Sequence, residues 1–212
     1  MSKKNFNYRN FHLKYDMSGE IRIGTGVVKV NDIFDKMPDF MKDADCLFID
    51  PPCNSSNYKS FYTKAEKSVR GNIELFNQRL FDLIVEINPE HLFIEAFKSN
   101  KENIINMLSI NGFIIKEFPS YYYGNKSNKC WILYGSKTEN SDINIPYIDE
   151  EKVIEHICKT LNFRCIGDLC MGKGLVGFYA NKYNKKFVGT ELNKKRLACL
   201  IEHINANRII VR

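Results

Sequence analysis

The chain has 212 residues, 44% of them hydrophobic and 13% aromatic, enough to bury one substantial core and little more. No run approaches the roughly 18 to 20 apolar residues that cross a bilayer, and the start, MSKKNFNYRN, lacks the apolar stretch of a secretory signal, so a soluble cytoplasmic protein of one domain over residues 1–212 is expected. Thirty-one basic against 25 acidic residues give a net charge of +6, which leans toward a polyanionic partner; seven cysteines without a C-x-x-C pair, and four histidines away from metal-ligand spacing, predict reduced thiols and no metal.

Taken in chain order, short apolar runs bounded by polar or turn residues predict about seven strands. They are Ile21 to Val30 (broken by Gly24 and Gly26), Cys46 to Ile49, His91 to Ala96, Phe113 to Phe118, Trp131 to Tyr134, Cys165 to Leu169 and Phe187 to Thr190. Apolar residues recurring at three and four predict helices over Ile73 to Ile87, Lys101 to Ile110, Glu150 to Leu161, Val176 to Tyr183 and Lys194 to Asn207. Strands alternating with helices imply an α/β fold around a mostly parallel sheet. Phe113 to Phe118 and Trp131 to Tyr134 have only the aromatic and polar stretch from Pro119 to Lys129 between them, and are expected to pair as an antiparallel hairpin.

Two strand ends carry the chemistry. Cys46-Leu-Phe-Ile-Asp-Pro-Pro-Cys53 stops at two prolines, which cannot donate to a ladder and hold the Asp50 carboxylate at the sheet edge. Cys165-Ile-Gly-Asp-Leu-Cys-Met-Gly-Lys-Gly174 runs from a strand ending in Asp168 through a turn with Gly172 and Gly174 into a helix, and glycines there let a ligand approach the backbone. The next strand, Phe187-Val-Gly-Thr-Glu191, ends in an acidic residue placed to accept the ribose hydroxyls of a nucleotide-like cofactor. Gly172-Lys-Gly-Leu-Val-Gly177 has the spacing of G-x-G-x-x-G, but as a phosphate cradle the pattern would lie inside the predicted helix, which argues against NAD and for a cofactor without a pyrophosphate.

GDLCMGKG followed by KKFVGTELNKKRLA resembles the first two motifs of DNA amino-methyltransferases, a D-x-F-x-G-x-G loop and an F-x-G-x-E-L strand, and Asp50 to Cys53 resembles their D-P-P-aromatic motif. The resemblance implies a Rossmann-like methyltransferase fold, circularly permuted because the catalytic motif precedes the cofactor loop, with S-adenosylmethionine as cofactor. It places Asp168, Cys170, Gly172 and Gly174 at the methionine part, Glu191 and Leu192 at the ribose, Asp32 in Val30-Asn-Asp-Ile at the adenine, and Glu95 near the same site. It further implies that Asp50, Pro51, Pro52 and Cys53 activate an exocyclic amine of a base, adenine N6 first and cytosine N4 next, in DNA or alternatively RNA.

Cys53 stands where that family has an aromatic that stacks on the flipped base. Three alternatives stay open: Tyr58, Phe61, Tyr62 or one of Tyr121 to Tyr123 supplies the stacking; the base is not fully flipped; or Cys53 is the nucleophile of a cytosine-C5 enzyme with Glu95 as its acid. The stretch Ser55 to Arg70 is read as a loop whose Tyr58, Lys59, Phe61 and Tyr62 meet substrate, joined by Tyr122 and Lys126 from the hairpin. Lys185, Lys186, Lys194, Lys195 and Arg196 are read as a solvated face. Gly135 to Pro146 is too short for a target-recognition module, and Ile145-Pro-Tyr-Ile148 replaces the lysine-bearing pattern usual before the cofactor loop. Specificity is then expected to be low, to come from the aromatic segments, or to come from a homodimer or a separate specificity subunit. A non-catalytic partner that only binds cofactor or nucleic acid is the competing reading.

Overall fold

A computed structural model describes residues 9–138 and 142–206. In chain order its elements are β1 (Glu20–Ile23), β2 (Gly26–Val30), β3 (Cys46–Ile49), α1 (Ser55–Lys64), α2 (Ile73–Ile87), β4 (His91–Ala96), α3 (Lys101–Ile110), β5 (Ile114–Tyr122), β6 (Asn125–Ser136), α4 (Glu150–Thr160), β7 (Cys165–Asp168), α5 (Leu175–Lys182), β8 (Lys186–Glu191) and α6 (Lys194–Asn205). The eight strands form one sheet in the order β1-β2-β8-β7-β3-β4-β6-β5. β2, β8, β7, β3 and β4 run parallel, while β1 and the β5–β6 hairpin close the two sides antiparallel.

Both faces of the sheet are covered, as parallel strands with continuous apolar runs require. On one face Phe48, Phe93, Ile166 and Phe187 pack with Val153, Ile154 and Ile157 of α4, Val176 and Ala180 of α5, and Leu197 and Leu200 of α6. On the other, Leu47, Ile49, Leu92 and Ile94 meet Tyr58 and Tyr62 of α1, Leu80 and Ile84 of α2, and Ile104 and Leu108 of α3. Helix α2 shows how the sequence builds such a layer. Asn72 caps its start by accepting from the Leu75 N–H at 2.8 Å, Phe76, Leu80, Leu83, Ile84 and Ile87 recur on the buried side, and left-handed Asn88 ends it. The described residues contain no helix long and apolar enough to cross a membrane. All seven cysteines are free, five of them buried.

Several sequence expectations change. Ile21 to Val30 is a hairpin turning at Gly24 and Thr25, so the sheet has eight strands. The stretch from Pro119 to Lys129 is strand as well: β5 continues to Tyr122 and β6 starts at Asn125. Their turn is tight because Tyr123 and Gly124 both take positive φ (58° and 64°), the backbone hand that matches strand twist. The first ten residues after Asn54 form α1 rather than a loop, and the expected end of the last helix at Asn207 lies outside the described residues.

The parallel strands leave a crevice where their order reverses. The sheet continues outward from β7 through β8 to β2 on one side and from β3 to β4 on the other, so the switch point falls between β7 and β3. These two strands pair only at Cys46 with Ile166 and Leu47 with Gly167, then separate toward their carboxyl ends. Ligands of open α/β sheets bind at such a point.

Candidate active site

Asp50 to Cys53 leave the sheet at this crevice. β3 is buried along its whole length, and buried Pro51 and Pro52, having no N–H, cannot extend its ladder. The half-buried Asp50 side chain is left at the strand end. The turn is fixed from behind by Asn54, whose side-chain oxygen accepts from the Asn57 N–H at 2.8 Å and caps α1. The half-exposed Cys53 thiol has its pKa raised by burial and by the neighbouring Asp50 charge, which keeps it protonated and a poor nucleophile at neutral pH.

Facing it, β7 ends in Asp168 and β8 in Glu191, both buried. Asp168 accepts from the Cys170 N–H at 2.8 Å. Burial, with the charges of Asp50 and Glu191 adding to it, pushes its carboxyl well above the usual range. Glu191 accepts from the Gly172 N–H at 2.7 Å and the Asn193 N–H at 2.9 Å, so one carboxylate ties the glycine turn to the start of α6. Its pKa is raised by burial, and Arg196 and those two amides oppose the shift. Gly174 has φ 82°, and a side chain there would bring its Cβ within 2.5 Å of Leu200. Gly172, at φ 55°, has nothing nearer than 3.9 Å in that direction: the turn is open toward the crevice at Gly172 and packed at Gly174.

A third wall comes from the chain after β2 and from α1. Asp32, only 4% exposed, accepts from the Tyr62 hydroxyl at 3.0 and 3.1 Å and from the Phe34 N–H, with the Arg70 guanidinium 3.5 Å away. The Tyr62 pKa is pushed far up by burial, its bond with Tyr58 and the Asp32 charge, so it stays a donor. Asn193 reaches the Lys64 carbonyl at 2.9 Å, and Lys195 pairs with Glu66, joining the end of α1 to the start of α6.

Together these walls enclose a cleft of about 480 Å³ that contains Asp50, Pro51, Pro52 and Cys53 together with Asp32, Asp168, Cys170, Gly172, Glu191 and Leu192. Tyr58, Phe61, Tyr62 and Tyr122 also line it. Six of the expected residues lie outside the cleft or show it little surface. Glu95, expected at the cofactor, is fully buried within β4 and does not line the cleft. Gly174 supports the turn from behind, against Leu200. Lys59 is exposed on α1 and does not line the cleft, while Lys126, expected at the substrate, is exposed at the hairpin end outside the cleft. Tyr58 and Tyr62 are each 2% exposed, since i, i+4 spacing on α1 turns both rings into the core, where little ring face is left to stack on a base.

The site also holds Phe97, which the sequence did not single out, and Arg196, which it placed elsewhere. Phe97, just past β4, packs edge-on against Tyr122 with centroids 5.4 Å apart, and Tyr123, 61% exposed, lies 4.1 Å from Tyr122. The signal for Phe97 was its place at the carboxyl end of a parallel strand. Arg196, read as part of a solvated face, lines the cleft with its guanidinium 4.9 Å from the Phe61 ring centroid. Within that same run Lys185 donates to the Leu161 carbonyl at 2.7 Å.

No protein-family model and no curated protein matches the chain. Solved structures do. M1.HpyAVI, also solved as a complex with SAM, is 16% identical, with a TM-score of 0.56 over 86% of this chain and 98% of its own. TTHA0409 of Thermus thermophilus, named as a DNA modification methylase and also solved with S-adenosyl-L-methionine, is 14% identical, with a TM-score of 0.60 over 84% and 94%. The cytosine-N4-specific PvuII DNA methyltransferase is 13% identical, with a TM-score of 0.59 over 88% and 89%. The chain shares the fold of these proteins.

Proposed function

We propose that this chain is an S-adenosylmethionine-dependent methyltransferase that acts on an exocyclic amino group of a DNA base, with adenine N6 as its first target. The observation that carries the reading is the meeting of two strand ends in one cleft: the Asp50-Pro51-Pro52 turn of β3 and the Asp168, Gly172 and Glu191 set of β7 and β8. Shared fold with two proteins solved with this cofactor, and with a DNA methyltransferase, supports it. So does the strand order, in which β7 and β8, last in the chain, fill the middle of the sheet as a permuted methyltransferase requires.

The residues fit the cofactor. Gly172 leaves the turn open, Glu191 is a buried carboxylate at a strand end with lone pairs for ribose hydroxyls, and Asp32 is held by Tyr62 where an adenine amine would meet it. When bound, S-adenosylmethionine supplies an electrophilic methyl group. The base amine is a poor nucleophile because its lone pair is delocalised into the ring. Hydrogen bonds from its two protons to the Asp50 carboxylate and the Pro51 carbonyl favour a tetrahedral nitrogen, and the surplus proton leaves through Asp50 to solvent. Most of the rate gain is positioning and electrostatics. Tyr122, backed by Phe97 and Tyr123, takes the stacking role that Cys53 cannot fill.

Cytosine N4 is the second reading, favoured by the likeness to the N4-specific PvuII enzyme. Cytosine C5 lacks support: the Cys53 thiol stays protonated, and Glu95 does not reach the cleft. The test is methyl transfer from labelled S-adenosylmethionine to mixed DNA and RNA, followed by nucleoside mass spectrometry. N6-methyladenine is expected, Asp50→Ala is expected to abolish it while cofactor affinity stays within about threefold, and an Asp50→Ala variant as active as the parent would refute the assignment.

A further inference from the structure

We propose that the outer end of the β5–β6 hairpin is an arm that enters the major groove of duplex DNA, taking the place of a separate recognition module; this rests on the DNA-methylating reading above. The last residue of β4 in the sheet, Ala96, pairs with Trp131. Beyond that row the hairpin continues without β4 beside it, through Ser120 with Cys130, Tyr121 with Lys129 and Tyr122 with Asn125, with one parallel bridge from Tyr121 to Asp149. Three further rows carry it about 10 Å past the sheet edge at which the cleft opens. The register shift after Tyr121 makes residues 126–128 bulge outward, and every residue from Asn125 to Lys129 is exposed.

Charge and stiffness both suit a polyanion. No acidic residue lies between Pro119 and Trp131, and Lys126 and Lys129 make no ion pair among the described residues. The arm is nevertheless anchored. The Ser120 hydroxyl donates to the Ile148 carbonyl at 2.6 Å, the Gly124 N–H donates to the Asp149 carboxylate, and the Tyr121 ring lies 5.3 Å from that of Tyr147. The Ile145 to Ile148 segment thus serves as the mount of the arm. Its inner side puts Tyr122 and Tyr123 into the cleft while its outer side shows lysines. A two-stranded ribbon fits the roughly 12 Å major groove of B-form DNA, whereas the deep, narrow major groove of A-form RNA excludes it. With the arm seated there, Lys126 and Lys129 meet phosphates and the aromatic side faces a base leaving the stack.

The experiment titrates a fluorescein-labelled, mixed-sequence 30-base-pair DNA duplex with the full chain and S-adenosylhomocysteine, by anisotropy over a salt series. Methyl transfer to the unlabelled duplex is measured alongside. Each phosphate contact contributes about 0.9 to the slope of log affinity against log salt, so Lys126→Ala with Lys129→Ala is expected to flatten the slope by about 2 and lower affinity at least tenfold at low salt. Cofactor affinity should not change, and Lys152→Ala with Lys159→Ala on the exposed side of α4 should keep the parent slope. A parent that methylates DNA and an arm variant that keeps both the slope and kcat/KM would overturn the arm and leave the methyltransferase reading intact. Duplex RNA or single-stranded DNA bound as tightly as duplex DNA would also overturn it. A parent that binds DNA with the expected arm dependence but transfers no methyl group would instead sink the reading of function.

Discussion

Asp168 illustrates what a buried carboxylate at a strand end costs the fold. Its carboxyl is buried beside the Asp50 and Glu191 charges with one backbone amide to offset them, and its pKa is raised. For an acid shifted this way, stability is fully present below the ordinary value of 3.8 and is lost as pH rises through the folded-state value. Asp168→Asn keeps a carbonyl acceptor for the Cys170 N–H and removes the charge. It should therefore melt at a higher temperature than the parent at pH 7, with the gap closing as pH falls toward 3.8, while binding S-adenosylmethionine more weakly. Thermal denaturation across pH, with calorimetric titration of the cofactor, checks both halves; a variant less stable at pH 7 would contradict the argument. At this scale the sequence was most legible where a strand ends in a carboxylate, as at Asp50, Asp168 and Glu191. It was least legible for Tyr58 and Tyr62, whose rings look available for substrate until α1 turns them inward.

Asp149 does two jobs that meet at one carboxylate: it caps α4 by accepting from the Glu151 N–H at 3.2 Å, and it holds the Gly124 N–H at the hairpin turn. Asp149→Ala should cost about 1 kcal/mol for the cap, lowering the melting temperature of a chain this size by roughly 2 to 4 °C. Because the turn is released as well, affinity for duplex DNA should fall more than affinity for S-adenosylmethionine; equal losses of both would point to general unfolding instead. Strands with unbroken apolar runs, such as β3 and β4, and the long amphipathic α2 were readable within a residue or so. Helix α1 was not, because SSNYKSFYTK has only a few apolar positions and its clearest signal is the Asn54 cap three residues before Asn57. The hairpin end was missed for another reason: a tyrosine at positive φ is a poor turn signal, so Tyr123 concealed the turn that Gly124 completes.

For the molecule as a whole, the cleft is built from segments far apart in the chain: the Asp32 turn, the β3 exit, the β7–α5 turn and the start of α6. A ligand that touches all of them binds only the assembled state. S-adenosylmethionine at a hundred times its Kd should add about 2.7 kcal/mol, a rise in melting temperature on the order of 5 to 10 °C. Differential scanning calorimetry checks this, and no shift at high cofactor concentration would mean that the folded chain does not bind it. The strand alternation told that the sheet is mostly parallel, but spacing alone does not rank neighbours; the adjacency of β3 and β7 is seen only in the structure.

That adjacency also bears on synthesis. A nascent chain that has emerged only as far as Leu161 holds β2 and β3 without the two strands that separate them, so both present unpaired edges at once. The parallel core cannot close until β7 and β8 arrive and slot between them, which makes this a late, long-range step of the kind that folds slowly. The half of the cleft that carries Asp168 and Glu191 is therefore completed last, and an unfinished chain on the ribosome has an Asp50 turn with nothing to face.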